Sequence, residues 1–147
     1  MDTLEIKYTT IQKALESLHQ AIIFFDKAKR APDLPLLGTR TEVYQAARDS
    51  IIQRFEFSIE LFWKYMRVFM ETGKQIKLET IASCDIVRSA CQYRFISEDD
   101  AQHCIDMIRS RNLTSHIYKE DIAEQLVRDI PSHYELMKKL LESMGPK

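Results

Sequence analysis

Glycine and proline are scarce in this chain, three of one and four of the other. Such scarcity excludes a turn-rich β architecture and favours a few long elements. Basic excess is missing too: the formal net charge is −1, which excludes a general electrostatic nucleic-acid binder. Any RNA contact must then be local, in a cleft that gathers a few cations. No apolar run approaches the roughly 18 residues of a membrane span. The acidic start, Met1-Asp2-Thr3-Leu4-Glu5, lacks an apolar signal core, so no membrane and a cytoplasmic setting are expected. Three cysteines, Cys84, Cys91 and Cys104, sit at no metal-ligand spacing and read as reduced core thiols. No carboxylate cluster of metal-site type is evident, and neither a metal nor a cofactor is expected.

What the chain does have is helical periodicity. The 147 residues suit one domain spanning 1–147, with no repeat or linker. Ile11, Leu15, Leu18, Ile22 and Phe25 recur at steps of four and three, predicting a helix from Thr3 to Arg30. Two prolines and a glycine between Ala31 and Thr39 break it. A second helix is expected from Thr41, as N-cap, to Thr72, with Gly73 in the C′ role. A third should run from about Lys77 to Tyr93. Ser97 followed by Glu98-Asp99-Asp100 marks a fourth start, continuing towards His116 or Tyr118. Lys119 to Ile130 reads as helix again, with Pro131 kinking or restarting the chain before a last helix ending near Met144. The expected fold is all-α, an antiparallel up-and-down bundle of four to six helices.

One stretch departs from plain core logic. Ala101, Cys104, Ile105 and Ile108 form the apolar row of the fourth helix, and Arg111, Ser115 and Tyr118 continue it, Arg111 and Tyr118 lying about 20° apart. A guanidinium at a core edge needs carboxylates or a wet cleft. Glu56 and Glu60, one turn apart on the second helix, are candidates to brace it, and a purely structural ion pair is one reading of Arg111. Arg111 and His116 diverge by about 140° on a straight helix. Either the helix distorts near Ser115, or two copies meet and each supplies part of a site. Histidine suits proton transfer near neutrality, and arginine stabilises charge building on a phosphoryl group. Together they suffice for metal-independent RNA cleavage. His19, His103 and His133 read as surface or boundary residues.

Arg111-x4-His116-x-Tyr118 resembles the Arg-x4-His-x-Tyr motif of HEPN-domain toxins, whose genes pair with minimal nucleotidyltransferases (MNT). The run from Arg111 through Asn112, Leu113, Thr114, Ser115, His116 and Ile117 to Tyr118 is similar to the signature of bacterial nucleotidyltransferase substrate-binding proteins. The block Gln53 to Lys64 resembles that family's second-helix signature. The resemblance implies a dimeric HEPN-like bundle partnered by a small nucleotidyltransferase. It implies ribonuclease roles for Arg111 and His116, polar support from Asn112, and AMP addition at Tyr118 as the silencing step. The alternative that it implies is a non-catalytic subunit presenting a substrate to the nucleotidyltransferase.

Overall fold

The computed structural model describes residues 2–30, 38–116 and 119–146, with the side chains of 114–116 outside that description. Among the described residues, five α-helices follow in order: α1 Thr3–Arg30, α2 Arg40–Val68, α3 Ser83–Gln92, α4 Glu98–His116 and α5 Glu120–Ser143. No β-strand occurs among them. The expected all-α up-and-down bundle is the observed architecture. α2 is its axis, packing against each of the other four helices. One continuous core joins them, with Ile11 and Leu18 of α1 and Phe55, Phe62 and Met66 of α2 fully enclosed.

α1 has the predicted bounds. α2 begins earlier than expected: its N-cap is Thr39, not Thr41. Thr39 and Glu42 form a capping box, the Glu42 amide donating to Thr39 Oγ1 at 3.1 Å and the Thr39 amide to Glu42 Oε1 at 3.5 Å. Gly38 precedes the cap at φ +109°, where a Cβ would meet the Glu42 carboxylate at 2.9 Å. Gly73 is not a left-handed C′ residue. α2 instead runs into a π-helical turn, Phe69–Gly73, closed by the Lys74 amide on the Phe69 carbonyl. The left-handed residue comes two positions later, at Gln75.

α3 starts six residues after its expected beginning. The Ile76 amide is taken by the Met70 carbonyl, and Thr80 Oγ1 accepts from the Ala82 amide. Local bonds of this kind compete with helix, and the chain stays irregular until Ala82. Ser97 caps α4 as expected, accepting from the Asp100 amide at 3.1 Å. Pro131 neither breaks nor restarts α5, which is a single helix. Ala123, Val127 and Ile130 before the proline and Tyr134, Met137 and Leu141 after it are all buried. That burial on both flanks outweighs the bond that proline cannot make.

Candidate functional site

α4 carries Arg111 where its apolar row leads, one turn beyond Ile108. Cys104 and Ile108 are buried, and Arg111 follows on the same face with its side chain 28% exposed. The guanidinium does not float there: Nη2 pairs with Glu60 Oε1 of α2 at 3.1 Å. Nη1 donates to Asn112 Oδ1 at 3.2 Å. Arg111, Asn112 and Glu60 are therefore brought together as the sequence suggested. Glu60 also meets Lys64 at 3.6 Å, so its charge is shared between two cations. Glu56 stands half-buried one turn earlier on α2.

The backbone of α4 is helical through Ser115 and His116. The backbone thus stays helical across Ser115, the position where the sequence leaves a distortion open. On an unbroken helix Arg111 and His116 leave the axis about 140° apart. The side chains of Ser115 and His116, and the whole of Tyr118, lie outside the described residues.

Two polar clusters were not anticipated. Arg48 of α2 is only 3% exposed and binds Glu120 and Glu124, one turn apart at the start of α5. Its Nη1 reaches Glu124 Oε1 at 3.1 Å, while the Tyr44 hydroxyl donates to Glu124 Oε2 at 2.6 Å. Burial alone would raise the Glu124 carboxyl, but the hydrogen bonds from Tyr44 and Arg48 outweigh it and hold it below the usual range. Burial and the bond to Glu124 push the Tyr44 hydroxyl up to about 12. A signal existed: Arg48 interrupts the apolar row that leads to Ile51, Ile52 and Phe55, and Glu120 and Glu124 share one face of α5.

The second cluster corrects the reading of His133. It is buried, not a boundary residue. Its Nδ1 lies 2.9 Å from His103 Nε2 of α4, and its ring stacks on Phe55 at 5.4 Å. The Nε2 atom of His133 is buried with no hydrogen-bond partner among the described residues. His133 falls three and four residues from Ile130 and Met137, within the buried row of α5, and that spacing was the available signal. His19 stacks on Tyr134 at 5.0 Å. Among the described residues, no three His, Cys, Asp or Glu side chains gather so as to hold a metal ion. No helix there is long and apolar enough to cross a membrane.

Comparison with known proteins adds to this geometry. A family model described as nucleotidyltransferase substrate binding protein like matches residues 6–145. No curated protein matches the chain. A crystal structure of a Thermus thermophilus protein is similar at a TM-score of 0.69 and 26% identity, over 91% of this chain and 98% of that one. A Haemophilus influenzae protein, reported to reveal the fold of a substrate binding domain of a nucleotidyltransferase, gives 0.73 and 22%, over 93% and 98%. A tri-AMPylated Shewanella oneidensis HEPN toxin in complex with MNT antitoxin gives 0.71 and 16%, over 98% of each chain. The last two are likenesses of fold.

Proposed function

This chain belongs to the nucleotidyltransferase substrate-binding protein family, and from that premise we propose that it is the HEPN partner of a small nucleotidyltransferase and a metal-independent endoribonuclease toxin. The single domain, 1–147, works as a homodimer, and Arg111 and His116 carry the cleavage. The observation that supports this most is the placement of Arg111. It is a partly wet guanidinium near the end of α4, oriented by Glu60 and Asn112, on a helix that stays regular through His116.

The chemistry follows from those groups. The ribose 2′-oxygen attacks the neighbouring phosphorus as its proton is taken up. The bond from phosphorus to the 5′-oxygen breaks, and that oxygen receives a proton. A cyclic phosphate and a free 5′-hydroxyl result. Two protons move at opposite ends of the reaction, so two histidines serve better than one. Arginine stabilises the charge on the equatorial oxygens. Because Arg111 and His116 diverge on one helix, a pair of facing motifs gives one cleft both residue types from both copies. Ser115 lies between them, and Asn112 and Glu60, with Glu56 one turn away, support the site. The nucleotidyltransferase silences it by adding AMP to Tyr118, where an anionic phosphodiester and a base compete with RNA. The AMPylated state of the Shewanella toxin supports carrying this over.

Expression of the chain alone tests the proposal. Growth arrest and RNA cleavage by the parent, both lost in Arg111→Ala and in His116→Ala, are expected. Mixed dimers of the two variants should regain activity if the cleft is composite. Folded, dimeric parent protein that neither arrests growth nor cuts RNA would overturn it. Intact mass after co-expression with the nucleotidyltransferase should show adenylyl additions that Tyr118→Phe removes. A second reading, a non-catalytic subunit that presents substrate to the nucleotidyltransferase, is favoured by one observation. Arg111 already has Glu60 as an ion-pair partner, so its charge has a structural use without RNA.

A further inference from the structure

A cavity of about 300 Å³ opens between α1, α2 and α5, away from Arg111. Phe25, Ile51 and Val127 form its apolar base, Tyr44 and Glu124 one wall, and Arg128 part of its rim. We propose that this cavity binds a small organic anion with a flat apolar body. The site requires neither Arg111 nor His116, and so stands apart from the ribonuclease reading.

Size and rigidity come first. The volume lies at the lower end of small-molecule sites. Its wall is fixed in advance, because Tyr44 and Glu124 are held by each other and by the buried Arg48. A ligand therefore need not order these side chains on entry, which lowers the entropic cost of binding. The Phe25 and Tyr44 rings lie 5.4 Å apart, tilted by 47°; Lys29 covers the Phe25 ring at 5.1 Å, so the half-buried Tyr44 ring is the aromatic surface left to a flat body.

Charge then selects the head group. The two acids on the cavity are committed: Glu124 to Tyr44 and Arg48, and Asp26 to Lys29 at 3.3 Å. Arg128 differs. Its Nη1 reaches the Gln125 amide oxygen at 3.4 Å, and its charge acts on Glu124 and Tyr44 only through space, with no carboxylate in direct contact among the described residues. A cationic ligand would find no uncommitted carboxylate and would meet Arg128. A fully polar one would gain nothing from the base of the cavity. An anionic head on an apolar body satisfies both ends, as a carboxylate or a phosphate.

The test uses the full chain, labelled with nitrogen-15, titrated separately with 1-naphthoate, 1-naphthyl phosphate and neutral 1-naphthalenemethanol. Saturable amide shifts are expected around Phe25, Tyr44, Glu124 and Arg128 with at least one anion. The neutral alcohol should bind about tenfold more weakly, as should the better anion to Arg128→Gln. Ile22→Trp, at the half-buried cavity edge, should block binding, while Arg88→Gln on exposed α3 should leave it unchanged. Preference for one anion tells a phosphate site from a carboxylate site. No shifts with either anion, equal binding of the alcohol, or full affinity in Ile22→Trp would overturn the proposal. Shifts confined to the end of α4 would also overturn it while leaving the ribonuclease reading standing.

Discussion

Acid should loosen the contact between α4 and α5 through His133. Burial, and next the neighbouring His103, lower the His133 imidazole from 6.5 to about 4, against a smaller opposing pull from Asp129 and Asp106. The fold therefore prefers the neutral ring. The sign follows from proton counts: between those two values the unfolded chain binds the extra proton and the folded chain does not, so stability rises with pH across that window. It is fully present above 6.5 and is lost progressively down to about 4. The whole difference corresponds to about 3 kcal/mol, of which about 2 kcal/mol is gone by pH 5. That is a large part of the roughly 5–15 kcal/mol that holds a domain of this size.

Urea unfolding at pH 7.5 and pH 5 measures the loss, and His133→Phe isolates its source. Phenylalanine keeps an aromatic ring against Phe55 and removes the titrating group. Carboxylates titrate in both proteins, so the difference between their two pH losses belongs to His133 and its contact with His103. The parent should lose about 2 kcal/mol more than the variant. Ring-proton NMR of His133 should place its midpoint near 4. Equal pH losses in the two proteins, or a His133 midpoint between 6 and 7, would refute the reasoning.

Other perturbations have equally definite signs, each read by urea unfolding at pH 7.5. Arg48→Met leaves Glu124 without its buried partner and should cost about 3 kcal/mol. Gly38→Ala should cost about 1–2 kcal/mol, since alanine is strained at that left-handed φ and its Cβ presses on the Glu42 carboxylate. Pro131→Ala restores a helical donor at an exposed position inside α5, and should stabilise by about 1 kcal/mol once the freer unfolded chain is counted.

Where the sequence was legible, one element dominated its own signal. α1 is legible at both ends because its apolar steps and basic last turn agree. Misplaced boundaries arose where side chains compete with helix. Thr39 and Thr41 are both chemically able to cap, and only the reciprocal bond with Glu42 chooses Thr39. Thr80 delays α3 through bonds that no periodicity encodes. Pro131 was over-weighted, because burial on both flanks is a tertiary fact. At the candidate site, the pairing of Arg111 with Glu60 was legible, since an arginine in an apolar row demands an acid. The roles of Arg48 and His133 were not. Each sits in an apolar row, which signals a buried polar residue, but the row does not name the partners, Glu120 and Glu124 for one and His103 for the other.

Those two kinds of ion pair bear on how the motif is held. Arg111 lies before His116 and docks on Glu60 of α2. Glu120 lies just after Tyr118 and docks on Arg48 of the same helix. Glu60 and Arg48 are twelve residues apart, about 18 Å along α2. The charges are opposite in sense: α2 offers an acid to the incoming side of the motif and a base to the outgoing side. Exchanging the two anchors would set arginine against arginine and glutamate against glutamate, so the pattern also fixes direction. The two anchors differ in depth, Arg48 being almost wholly buried while Arg111 keeps contact with water. Structural hold is thus concentrated on the outgoing side. Arg111 is left as the more accessible guanidinium of the two, the condition that a residue meeting a phosphate has to satisfy.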